Sequence, residues 1–140
     1  MRMQLVPAKN DVLFINDAYN AAPTSMKAAI DFVSSTDMRP EKWLVLGDML
    51  ELGEDEKLFH ENLAESIDPA KIFKVCLFGP RMKWLYEKLA TKFAAENLVY
   101  SETEYTPIEE AIRLNATQDS LVLLKGSRGM KLETILKAFQ

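Results

Sequence analysis

Residues 43–78, WLVLGDMLELGEDEKLFHENLAESIDPAKIFKVCLF, decide the fold. Two short apolar runs, 43–47 and 74–78, enclose a segment from Asp55 to Ile67 in which Leu58, Phe59, Leu63 and Ile67 recur at helical spacing on a charged background. Runs this short, apolar at nearly every position, read as strands covered on both faces, and two of them joined through a helix read as a parallel pair.

The same alternation continues outward in both directions. Strands are expected at 12–16, 98–101 and 121–124. Pro23 opens a helix with Met26, Ala29, Ile30 and Val33 on one face. Met82, Leu85, Tyr86, Leu89 and Phe93 mark a second, Pro107 opens a third through Ile108, Ala111 and Ile112, and Leu132, Ile135, Leu136 and Phe139 form the last. Right-handed crossovers return each helix to the sheet, so the pattern predicts an α/β fold in three layers, with a mostly parallel sheet of about six strands. The sixth strand is the added run at 3–7, expected to be antiparallel and joined through Ala8-Lys9-Asn10-Asp11.

At 140 residues, with 48% hydrophobic and 27% charged residues, the chain suits a single domain with a real core. No apolar stretch approaches the roughly 18–20 residues of a membrane helix. Seventeen basic against twenty-one acidic residues, net charge −4, disfavour a nucleic-acid footprint. A single cysteine, Cys76, and a single histidine, His60, cannot spell a zinc site or an internal disulfide, and a reducing cytoplasmic setting is expected. Cys76 reads as a small buried hydrophobe, Trp43 and Trp84 as cover for core edges, and His60 as structural.

In a parallel sheet, ligands gather outside the carboxyl ends of the strands. Three loops fall there: Asn16-Asp17-Ala18-Tyr19-Asn20-Ala21-Ala22-Pro23, Gly47-Asp48-Met49-Leu50-Glu51-Leu52-Gly53, and Lys125-Gly126-Ser127-Arg128-Gly129. Asp17 is either an acceptor for ribose hydroxyls or, with Asn20, a satisfier of turn backbone. Lys125, Ser127 and Arg128 around two glycines form either an anion cradle or a solvated basic loop. Arg128 either clamps a carboxylate or pairs with Glu133. Asp48, Glu51, Glu54 and Asp55 are a metal site by residue type alone, and a charged helix N-terminus is the more ordinary reading. Neither G-x-x-x-x-G-K-[ST] nor G-x-G-x-x-G occurs, so any nucleotide is handled with help from elsewhere.

These loops carry a resemblance. Ile15 through Pro23 with Ser25-Met26, Val45 through Gly53 with His60, and Lys125 through Met130 together resemble, in the right order, the C-terminal domain of the Mur ligase family. The resemblance implies a Rossmann-like domain that closes over a central ATPase domain in a longer polypeptide. It implies ATP and Mg2+ as cofactors of that longer enzyme, with none expected on the isolated domain. The implied reaction belongs to peptidoglycan precursor synthesis: the carboxylate of UDP-N-acetylmuramoyl-tripeptide is phosphorylated, and the amine of D-alanyl-D-alanine attacks the acyl phosphate.

Carried over by motif, Asp17, Tyr19 and Asn20 are implied to hold the adenosine and Arg2 to approach the phosphates. Lys125, Ser127 and Arg128 are implied to lie near the incoming dipeptide, with Asp48, Glu51 and His60 in support, no metal ligand, and no self-sufficient catalytic residue. The sequence departs from the family at Ala22, where a second asparagine is usual, and Met1-Arg2 is expected to mark a domain boundary. A phosphorylation-controlled receiver module is the competing class. It requires an acceptor aspartate after Val75-Cys76-Leu77-Phe78, where the chain has Gly79-Pro80. A cofactor-free α/β binding domain is the third.

Overall fold

A computed structural model describes residues 3–140; Arg2 lies outside the described residues. Six strands form one sheet in the order β1-β2-β6-β3-β4-β5. They are β1 (Gln4–Pro7), β2 (Leu13–Asp17), β3 (Glu41–Gly47), β4 (Lys74–Phe78), β5 (Leu98–Ser101) and β6 (Ser120–Lys125). The pair β1–β2 is antiparallel and every other pair is parallel, as the alternation predicts.

The helices are α1 (Pro23–Ser35), α2 (Glu56–Asn62), α3 (Met82–Leu89), α4 (Thr106–Asn115) and α5 (Glu133–Lys137). From β2 to β5 the chain steps in one direction along the sheet, and then β6 returns to the gap between β2 and β3. Right-handed crossovers in both directions therefore put α1, α2 and α3 on one face and α4 on the other, where α5, which follows the last strand, also packs. Two separate cores follow. Leu44 and Leu46 of β3 pack with Met26, Ile30, Leu85 and Leu89. Trp43 and Val45, one residue out of phase, pack with Ile108, Ile112, Ile135 and Phe139.

Three expectations are corrected. The helix expected over 55–67 is α2 followed by a 3-10 turn, Leu63–Ser66. Leu58 is 53% exposed, because the inward arc of α2 runs through His60 and Leu63 and leaves Leu58 outside it. Trp43 does not cover an edge: it sits in a central strand at 0% exposure, against the ring edge of Phe73.

Candidate functional site

The loops leaving β2 and β6 diverge, one to α1 and the other to α5 on the opposite face, and open a crevice at the carboxyl ends of two adjacent strands. Parallel register sets Asp17 opposite Lys125. Both side chains point to the α1 face and are 3% exposed, with Lys125 Nζ donating to Asp17 Oδ2 at 2.8 Å and to the Asn20 carbonyl at 3.0 Å. Charges this deep persist only when paired, so the lysine charge is committed to the loop after β2. Asp17 Oδ1 has no hydrogen-bond partner among the described residues. Asp17, Asn20, Ser25 and Lys125 line a cavity of about 260 Å3 against α1.

Alternation along β2 turns Asn16 to the other face, beside α5. There a second cavity of about 260 Å3 is lined by Asn16, Ala18, Tyr19, Arg128 and Glu133. The Tyr19 ring is 52% exposed, and the Arg128 guanidinium lies over it at 5.0 Å from the ring centre. Arg128 makes no ion pair with Glu133 among the described residues. The two motif-derived groups are thus re-sorted by the sheet. Asp17, Asn20 and Lys125 share the α1 side, Tyr19 and Arg128 share the α5 side, and Asn16 and Glu133 join the latter. Neither Asn16 nor Glu133 stands out in the sequence as a binding residue. The signal for Asn16 is the period of two along a strand that must bury both faces.

The loop after β3 is a brace. Asp48, 0% exposed, accepts the Met82 N–H with Oδ1 at 3.0 Å and the Arg81 N–H with Oδ2 at 3.2 Å, which caps the first turn of α3. Burial raises the Asp48 pKa, and the N–H groups of Arg81 and Met82 pull against it. Position 79 requires glycine twice over: its φ is +114°, and a Cβ there would meet Asp48 Oδ1 at 2.3 Å.

His60 Nε2 accepts the Met49 N–H at 3.0 Å, and its Nδ1 faces the Glu56 carbonyl at 2.6 Å. Because Met49 can only donate and the carbonyl can only accept, the ring is neutral with its proton on Nδ1. Burial lowers the His60 pKa, consistent with that state. Ser127 Oγ accepts the Leu50 N–H at 2.8 Å while its own N–H donates to the Asp48 carbonyl at 2.9 Å.

Asp48, His60 and Ser127 therefore fix residues 48–50 against β6 and α3. Glu51 is exposed in a left-handed turn at φ 62°. A Cβ on Gly126 would lie 2.9 Å from Gly47 Cα, so this glycine serves the approach of two strands. No group of three His, Cys, Asp or Glu side chains suited to a metal occurs among the described residues. Cys76 is buried in β4, its thiol pushed up to about 12 by burial.

The sequence model of the family described as "Mur ligase, glutamate ligase domain" matches residues 1–128. A UDP-N-acetylmuramoyl-tripeptide–D-alanyl-D-alanine ligase of Bacillus subtilis (strain 168) is 44% identical over 137 residues, 98% of this chain and 30% of that protein. The ligase of the same name from Rickettsia prowazekii is 36% identical over 90% of this chain and 27% of its own length. Among solved structures, a MurF ligase from Thermotoga maritima in complex with ADP superposes with a TM-score of 0.78 at 26% identity, covering 98% of this chain and 30% of that one. A MurF from Acinetobacter baumannii gives 0.77 at 29% identity, covering 97% and 29%. The chain thus spans less than a third of the length of these two curated ligases. Sheet order, loop placement and family match agree, and the chain belongs to the Mur ligase family, as its C-terminal, glutamate ligase domain.

Proposed function

We propose that this chain acts as the C-terminal domain of a longer, cytoplasmic ATP-dependent ligase that joins D-alanyl-D-alanine to UDP-N-acetylmuramoyl-tripeptide through an acyl phosphate. The observation that carries the reading is the placement, on the two sides of the crevice at the carboxyl ends of β2 and β6, of a buried Asp17–Lys125 pair and of an exposed Tyr19 ring under Arg128. The names of the relatives and the ADP in the Thermotoga neighbour support it.

The described residues suit the nucleoside end of a nucleotide better than its phosphates. Asp17 Oδ1 is a buried acceptor without a donor, of the kind a ribose hydroxyl fills, with Asn20 lining the same cavity. Tyr19 adds an exposed ring on the other side of the crevice; the sequence has no phosphate loop, and no acidic metal cluster occurs among the described residues. In this reading phosphate and metal contacts fall to the central ATPase domain of the longer polypeptide, with Arg2, outside the described residues, assigned to the phosphates by the family resemblance alone. Mg2+ supplies charge neutralisation on the phosphates when bound there. Lys125 holds Asp17 and the Asn20 carbonyl in place, Ser127 holds the neighbouring loop, and Arg128 is left to meet the carboxylate of the incoming dipeptide.

The test is ADP release by the ligase carrying this chain. Release is expected to require both the tripeptide nucleotide and D-alanyl-D-alanine, and release indifferent to the dipeptide overturns the reading. Asp17→Asn, which keeps a hydrogen-bond acceptor for Lys125 beside the Asn20 carbonyl but removes its counter-charge, is expected to lower the melting temperature and, at a temperature where the variant is folded, to raise KM for ATP with little change in kcat. An unchanged ATP dependence removes Asp17 from the nucleotide site.

A further inference from the structure

The turn that carries Arg128 is held at both ends. At its start the Ser127 N–H donates to the Asp48 carbonyl at 2.9 Å, and Ser127 Oγ accepts the Leu50 N–H at 2.8 Å. At its end the Tyr105 hydroxyl donates to the Met130 carbonyl at 2.8 Å, the one side-chain hydrogen bond to residues 128–131 among the described residues. Tyr105 stands at the start of α4, beyond the edge strand β5, and reaches the turn across the ends of β4 and β3. Its ring stacks on Phe78 with centroids 4.6 Å apart and planes 15° apart, and Met130 packs over Gly47, where a Cβ would meet its side chain at 3.1 Å.

We propose that Tyr105 is a positioning residue, whose phenol clamps the end of this turn and so keeps the Arg128 guanidinium over the Tyr19 ring. The clamp acts where the chain is least content. Lys131, the next residue, is left-handed at φ 51° and ψ 47°, a conformation that L side chains disfavour. Inside the turn only the bonds from Met130 N–H to the Ser127 carbonyl and from Lys131 N–H to the Arg128 carbonyl oppose its opening. Arg128 itself is exposed, so the backbone of the turn, rather than packing, sets where its long side chain starts from. Slack at Met130 therefore passes directly to the guanidinium, which stands 5.0 Å from the Tyr19 ring centre.

The other parts of Tyr105 have their own work and leave the hydroxyl to this one. Its carbonyl accepts the Ile108 and Glu109 N–H groups at 3.0 Å, which starts α4, and its ring covers Phe78. Neither needs the phenol oxygen, so phenylalanine at 105 would keep the helix start and the stack and lose only the clamp. That a positioned Arg128 serves the carboxylate of D-alanyl-D-alanine rests on the function proposed above; the clamp does not.

The experiment compares Tyr105→Phe with the parent, first in this chain by NMR and then in the ligase that carries it. The variant is expected to melt within about 6 °C of the parent, the loss of one partly buried hydrogen bond, and so to stay folded. In the parent the Tyr19 ring current displaces the Arg128 side-chain protons upfield relative to a Tyr19→Leu control. In Tyr105→Phe that displacement is expected to shrink toward the control, and the amides of residues 128–131 to exchange faster. In the ligase, KM for D-alanyl-D-alanine is expected to rise about three- to tenfold while KM for ATP stays within about twofold. The rise is expected to vanish when Arg128 is already alanine, because the two residues act as one unit. Unmoved Arg128 resonances, a dipeptide KM that Arg128→Ala raises and Tyr105→Phe does not, or a rise that persists beside Arg128→Ala overturns the proposal. Displaced Arg128 resonances together with a dipeptide KM that Arg128→Ala leaves unchanged keep the clamp standing and refute the role given to Arg128 instead.

Discussion

Replacing Asp48 with alanine separates a brace from a metal ligand. The carboxylate accepts the Met82 N–H at 3.0 Å and the Arg81 N–H at 3.2 Å, and it lies 3.4 Å from the Arg81 guanidinium. Alanine orphans the two backbone donors. Met82 is fully buried, so its N–H bears the whole penalty, about 2–3 kcal/mol; the Arg81 N–H is only partly buried and reaches water, which limits its loss to the low end, about 1 kcal/mol. The guanidinium adds little, because its side chain is 35% exposed and keeps Glu56 at 2.7 Å. Relief of the burial that raises the Asp48 pKa returns part of the loss. The balance is about 2–4 kcal/mol, and at roughly 3–4 °C per kcal/mol for a chain of this size the melting temperature should fall by about 6–16 °C. Asp48→Asn retains one acceptor for Met82 but sets an NH2 against the Arg81 N–H, and it should fall between. Differential scanning calorimetry of the three proteins, with and without Mg2+, reads this directly. A fall under about 2 °C for the alanine variant, or a wild-type stabilisation by Mg2+ that the variant abolishes, refutes the brace.

Lys125→Met should cost about 3–5 kcal/mol because it strands the buried Asp17 carboxylate, and Lys125→Met with Asp17→Leu should recover most of it; equal melting temperatures for the single and double variants contradict this coupling. Ala22→Asn should stabilise by about 0.5–1.5 kcal/mol, since Ala22 stands at φ −109°, ψ 159° before α1 with no side-chain cap, and a denaturation midpoint that does not rise counts against it. The lowered His60 pKa means that the unfolded chain takes up this proton first: stability is full above the ordinary value of 6.5 and declines as pH falls from there toward the folded value, a slope that His60→Leu should flatten in melting curves from pH 7.5 to 5. Asp48, raised by burial, acts in the opposite direction at lower pH, where the folded chain binds the extra proton.

The fold was legible because every strand run was short and bounded, and because Pro23 and Pro107 punctuate their helices where the chain does begin to wind. What period alone cannot convey is which residue of a helical arc faces inward when a polar side chain joins it. His60 is buried by two hydrogen bonds, and that rotates α2 away from Leu58. The three loops were legible as a rim, but their membership was not. Loop motifs are read along the chain, whereas the sheet sorts side chains across it. Asp17 and Lys125 meet although 108 positions separate them, and Asn16, adjacent to Asp17, goes to the other face.

The same sorting accounts for why so many polar residues at this rim contact protein. A rim with cavities on opposite faces of one strand keeps its shape only if β2, β3 and β6 end in a fixed relation. Gly126 lets β6 approach Gly47 closely enough for Ser127 to reach residues 48 and 50, and His60 and Asp48 carry that fixation on to α2 and α3. Each contact is a hydrogen bond to backbone, which holds loop shape while leaving the rim chemistry to other side chains. The acceptors left without donors are then the informative ones. Asn16, Asp17 and Glu133 keep buried oxygens unpartnered among the described residues, all three beside the two small cavities, and a frame braced this thoroughly holds those acceptors ready at the cost of their own desolvation.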